Sequence, residues 1–75
     1  MITVINQILI FKTNIQTLAD KEQIQHCLNN HDAVDQWNID QQDIDCVLRV
    51  ISNSVTPEQI ISLITNHGFE CAELE

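Results

Sequence analysis

Apolar residues recur along this chain with two different periods, and the changes of period mark out its elements. Ile8, Leu9, Ile10 and Phe11 form a short, nearly continuous apolar run, which predicts a strand covered on both faces or central in its sheet. Ile2 to Ile5 is apolar too, but Asn6-Gln7 sets it apart. Residues 1–7 therefore read as a lead-in or strand extension, and residues 8–75 as one domain. Beyond Asn14 the period becomes helical: Ile24, Cys27, Leu28 and His31 share a stripe while Glu22, Gln25 and Asn29 face away. Thr17 or Asp20 caps this helix at its start, and Asn30-His31-Asp32 ends it.

Period two then takes over. Trp37 and Ile39 alternate with Gln36 and Asn38, predicting a half-exposed strand from Val34 to about Asp40, with Trp37 on the core side by its parity with Ile39, or on the open sheet face as a contact residue if the register slips by one. Asp40-Gln-Gln-Asp43 reads as a turn. Asp45 to Ile51 is rich in β-branched residues and predicts a third strand, with Cys46, Leu48 and Val50 on one face and Val47, Arg49 and Ile51 on the other. A second helix announces itself through Thr56 as N-cap, Pro57 at the first helical position and Gln59 three residues after Thr56. Val55 can pack on Ile60 as a staple across that start. Ile60, Ile61, Leu63, Ile64 and His67 form its inward stripe, Gly68 ends it in the left-handed conformation, and Phe69 to Leu74 supplies a last strand.

The order is β-α-β-β-α-β. Right-handed crossovers place both helices on one face of a four-stranded antiparallel sheet, an α+β ferredoxin-like sandwich. With 75 residues, such a domain has room for one small core but not for a large substrate cleft.

Charge narrows the partners. Three basic residues, Lys12, Lys21 and Arg49, stand against eleven acidic ones for a formal charge of −8. Nucleic acid and anionic membrane surfaces need clustered Lys and Arg, so the composition points to a protein partner with a basic surface. No run approaches the ~20 apolar residues that span a bilayer, and the N-terminus lacks the features of a signal peptide. The expectation is a cytoplasmic protein, monomeric or a weak homodimer. Cys27, Cys46 and Cys71, odd in number and unevenly spaced, read as reduced thiols rather than a disulfide framework.

One stretch resembles a known family. In the heavy-metal-associated (HMA) domain, the small copper-chaperone fold, a strand with a Phe leads into Met-Thr-Cys-x-x-Cys, followed by a helix with apolar residues four and eight places after the second Cys. Here Phe11 is followed by Ile15 in the Met place, Thr17 and Asp20 in the two Cys places, and Ile24 and Leu28 on the helix. Gly68-Phe69 is similar to the family's later Gly-aromatic pair, and the resemblance runs over nearly all of Ile8 to Leu74. It implies the ferredoxin-like fold and a soft-metal loop whose ligands are missing. Thiolates suit Cu(I) because sulfur is polarisable, whereas a hydroxyl and a carboxylate are hard donors. Helix capping is the plainer role for Thr17 and Asp20, so no metal and no other cofactor is expected.

A different ligand set, Asp20, His67 and Cys71, would offer O, N and S donors of the kind that zinc accepts, with zinc or copper as the ion. Against it, His67 at a helix end favours the dipole and Cys71 packs as a small hydrophobe. Cys27 and Cys46 read as core residues, and His26 and His31 as surface and helix-end residues. Asp40, Asp43 and Asp45 lack the central Gly and closing Glu of a calcium loop and read as an acidic turn. No set of nucleophile, base and orienting group appears and there is no phosphate loop. The overall expectation is a non-catalytic domain that works by protein contact, with heavy-metal binding or a metal chaperone role through atypical ligands, or a metal shared with a partner, as the alternative.

Overall fold

The computed structural model describes residues 7–74. Its elements are β1 (Gln7–Thr13), α1 (Leu18–Asn29), β2 (Gln36–Asp40), β3 (Val47–Ser52), α2 (Pro57–Asn66) and β4 (Cys71–Glu73). The strands form one antiparallel sheet in the order β2-β3-β1-β4. This is the βαββαβ ferredoxin-like sandwich. The lead-in read for residues 1–7 lies, apart from Gln7 in β1, outside the described residues.

Both helices start as their residues dictate. At α1, Thr17 accepts the Asp20 backbone N–H while the Asp20 side chain accepts the Thr17 N–H; at α2, Thr56 and Gln59 exchange the same pair of bonds. Each capping box satisfies two of the donors that a helix N-terminus leaves open. The end of α2 is equally defined. Gly68 has φ +87°, and its N–H donates to Thr65 O at 3.0 Å while Phe69 N–H donates to Ile64 O at 3.4 Å. These are the two bonds of a Schellman turn.

One core lies between the sheet and the helices. Phe11, Leu48 and Val50 from the sheet, Ile24 and Leu28 from α1, and Ile60 and Ile64 from α2 are fully buried, joined by Ile15 and Val55 from the connections. Burying each of these large aliphatic or aromatic side chains is worth about 1.5–3 kcal/mol. Trp37 and Ile39 pack against this cluster from β2, opposite Val50 and Leu48. The Trp37 indole keeps a polar tether, donating to Asn29 Oδ1 at 2.7 Å, as a half-buried Trp requires.

Several boundaries differ from the sequence pattern, each for a physical reason. The Ile8 to Phe11 run is covered on one face only: Phe11 is fully buried, yet Ile8 is 61% and Ile10 36% exposed. β1 is central in its sheet, but a two-layer fold has helices for one side alone. β2 begins at Gln36 rather than Val34, because Val34 N–H donates to His31 O in a turn. β3 begins at Val47 rather than Asp45, since Cys46 has φ +44° and cannot extend the strand. β4 covers only Cys71–Glu73, the Schellman turn having taken Phe69. His31 lies beyond the end of α1 and His67 is the exposed C-cap of α2, so neither belongs to a buried helical stripe.

Candidate functional site

Three connections meet at one end of the sheet: the β1–α1 loop, the β2–β3 loop and the α2–β4 loop. Polar side chains that no periodicity reveals hold them together. Thr13, at the end of β1 and 8% exposed, donates its hydroxyl to Cys46 O at 2.6 Å and accepts Ile15 N–H at 3.2 Å. Asn14 Oδ1 accepts Glu70 N–H at 2.8 Å. Gln41 donates from Nε2 to Thr17 O at 2.7 Å and to Ile15 O at 3.4 Å. Thr13, Asn14 and Gln41 thus clamp the three loops, although their partners lie 26 to 56 residues away for the longest links.

The two residues in the family's ligand places face each other across the start of α1, Thr17 as its N-cap at the end of the β1–α1 loop and Asp20 in its first turn. Thr17 Oγ1 accepts Asp20 N–H at 3.0 Å, and Asp20 Oδ2 accepts Gln16 N–H at 3.2 Å and Thr17 N–H at 3.3 Å. Behind them Ile15 points into the core and is fully buried. Of the alternative set, Asp20 belongs to the first turn of α1, His67 is exposed at the end of α2, and Cys71 pairs with Thr13 from β4. Among the described residues, no three His, Cys, Asp or Glu side chains come together as a metal-holding group.

The three thiols are free and quiet. Burial pushes the Cys71 thiol up to about 11. Burial also raises Cys27, outweighing its backbone hydrogen bonds, and its Sγ lies 3.2 Å from Ile24 O. Cys46 is raised first by burial and further by the carboxylates of Asp43, Asp45, Asp20 and Asp40 around it. Since the thiolate is the reactive form, none of the three is set up as a nucleophile.

What this end offers outward is acidic and apolar together. Asp40 and Asp43 accept the N–H groups of Gln42 and Asp45 at 3.1 and 2.9 Å, turning the β2–β3 loop into two successive Asx turns. The same loop carries Ile44, 94% exposed, and across the Gln41 clamp lies Leu18, 73% exposed. Elsewhere a shallow groove of about 390 Å³ runs along α2, lined by His31, Glu58, Gln59, Ser62, Leu63 and Asn66. No described helix is long and apolar enough to cross a membrane.

No protein-family model and no curated protein sequence matches the chain. Solved structures do. The CsoZ metallochaperone superposes with a TM-score of 0.76 at 21% identity, over 91% of this chain and 99% of that one. The apo HMA domain of the copper chaperone for superoxide dismutase gives 0.79 at 11% identity, over 95% of this chain and 69% of that one. The yeast copper transporter domain Ccc2a, solved in apo and Cu(I)-loaded states, gives 0.77 at 21% identity, over 91% and 94%. Agreement of element order, sheet and chain coverage at such low identity is agreement of backbone, and the chain has the fold of the heavy-metal-associated domains.

Proposed function

We propose that this domain is a non-catalytic protein-contact module built on the HMA frame, in which the first loop is structural rather than a soft-metal site. The observation that carries this reading is the reciprocal capping box: both side chains in the ligand places are hydrogen-bonded to backbone N–H groups of the helix start. A hydroxyl and a carboxylate are also hard donors, so the donor set does not fit Cu(I). In place of a metal loop, that end presents Leu18 and Ile44 among Asp20, Asp40, Asp43 and Asp45. Exposed apolar side chains at an acidic end suit a protein partner with a basic surface, where charge complementarity sets encounter rate and specificity. The composition fits a cytoplasmic setting.

Native mass spectrometry of the reduced protein with one equivalent of Cu(I), then Zn(II), tests the proposal. The expected result is the mass of the metal-free chain in both cases. One tightly held ion, lost on Cys71→Ala or His67→Ala, would overturn it in favour of metal handling through Asp20, His67 and Cys71. That second reading draws its support from the neighbours, described as a metallochaperone and as copper chaperone and copper transporter domains. An ion held only when a second protein is added would indicate a metal shared with a partner.

A further inference from the structure

The helix-free face of the sheet carries its own pattern, in which Lys12 and Arg49 stand beside an aliphatic patch, with Asp40 at the β2 end of the same face. Register sets Ile8 beside Ile51 and Ile10 beside Arg49. Leu74 N–H donates to Ile10 O at 2.9 Å, and Leu74 is 37% exposed. The result is an open aliphatic patch of Ile8, Ile10, Ile51 and Leu74 around one guanidinium. Lys12 lies on the same face beside Ala72, its Nζ 4.0 Å from the Asp45 carboxylate and its side chain 62% exposed. Two of the three basic residues in a chain of charge −8 thus stand on this one face. Among the described residues Arg49 has neither an ion pair nor a side-chain hydrogen bond.

We infer that a second copy of this chain docks its acidic loop end on this face, in a head-to-tail contact. The inference rests on the reading of the loop end as a docking surface, and names what fits it. Leu18 and Ile44 of one copy would cover the aliphatic patch of the next, and the carboxylates of the β2–β3 loop would meet Arg49, whose planar fork matches a carboxylate. Four strands at ~4.8 Å spacing and about five residues of ~3.3 Å give a face of roughly 300 Å². Stable interfaces bury about 800 Å² per partner, so this contact is weak and rapidly exchanging. The two surfaces differ, so the contact does not close on itself and grows as an open chain.

Amide chemical shifts of the reduced protein in EDTA, followed by dilution from millimolar to micromolar, test this with metal excluded. Concentration-dependent shifts are expected on two separate patches, one around Ile8, Ile10, Arg49 and Ile51 and one around Leu18, Asp43 and Ile44. Arg49→Glu should weaken self-association by roughly tenfold or more, and the Leu18→Ser/Ile44→Ser variant should do the same from the other side. Mixing the two variants restores one intact contact, so shifts should reappear on the sheet of the second and the loops of the first. Circular dichroism confirms that each variant is folded; if Arg49→Glu is not, Arg49→Gln replaces it. Absence of any dilution shift in the unaltered protein overturns the inference, as does association that survives Leu18→Ser/Ile44→Ser or a mixture that stays silent. A lysine-rich peptide that shifts the loop end while dilution shifts nothing would leave the docking surface in place and remove only the second copy as its occupant.

Discussion

Replacing Thr17 and Asp20 together by Cys should turn the first loop into a Cu(I) site at a modest cost in stability. N-cap and N3 side chains already reach each other's backbone within 3.0–3.3 Å, so two sulfur atoms placed there lie within reach of one ion. The change deletes three hydrogen bonds, from Asp20, Gln16 and Thr17 N–H groups. All three are at an exposed helix end, where water replaces the lost acceptor, so the loss is that of the cap alone, about 1–2 kcal/mol. For a domain of this size with stability of about 5 kcal/mol, that lowers Tm by about 4–8 °C per kcal/mol. Thermal melting by circular dichroism of the metal-free reduced variant reads the first effect. Competition with a chromogenic Cu(I) chelator reads the second, since binding to the native state alone restores stability in proportion to RT ln(1 + [L]/Kd). A folded variant that yields all its Cu(I) to the chelator would refute the reasoning, because it would mean that the loop geometry, and not only its ligand chemistry, has departed from a metal site.

Other consequences follow from single groups. Ser52, 1% exposed, donates to Ala33 O and accepts the Ser54 and Val55 N–H groups at 3.1 and 3.0 Å; Ser52→Ala should cost about 1–3 kcal/mol by stranding those groups, read as a lower urea midpoint. Gly68→Ala should cost about 1 kcal/mol through its φ of +87° alone, because no heavy atom lies within 4 Å of the added Cβ, and Gly68→Asn should lose less. The Cys71 thiol, raised from 9.0 to about 11 by burial, is protonated longer in the folded than in the unfolded chain. Its contribution is therefore complete below pH 9 and is lost as pH rises from 9 to 11; a Cys71→Ala variant should lose less stability over that window, measured by urea unfolding. Alkylation at pH 8 should be slow at all three thiols, with Cys46, 4% exposed, the slowest.

Much of this molecule is legible in its local patterns. Helical spacing finds Ile24 and Leu28, and Ile60 and Ile64, because a helix buries one stripe. Thr17 and Thr56 mark helix starts because the acceptor they supply acts over three residues. Gly68 marks the end of α2 because positive φ is cheap for Gly alone. Trp37 falls on the core side by its parity with Ile39.

The loop end was legible in composition but not in arrangement. Asp40, Asp43 and Asp45 announce an acidic turn, whereas Cys46 read as a strand residue and is instead the left-handed hinge into β3. No local rule marks Thr13, Asn14 or Gln41, since each acts on a segment at least 24 residues away through its longer bonds. The run Ile8 to Phe11 predicts a strand covered on both faces or central in its sheet; β1 is central, but covered on one face only, because periodicity counts apolar residues and does not count layers. Elements and their caps follow from local chemistry along the chain, since both act within a turn or two of it. Which sheet face stays open, that Arg49 stands on it with no ion pair among the described residues, and that Leu18 and Ile44 lie at the acidic loop end are matters of the tertiary structure. Those facts depend on which distant segments meet, and contact between distant segments is set by packing rather than by local preference.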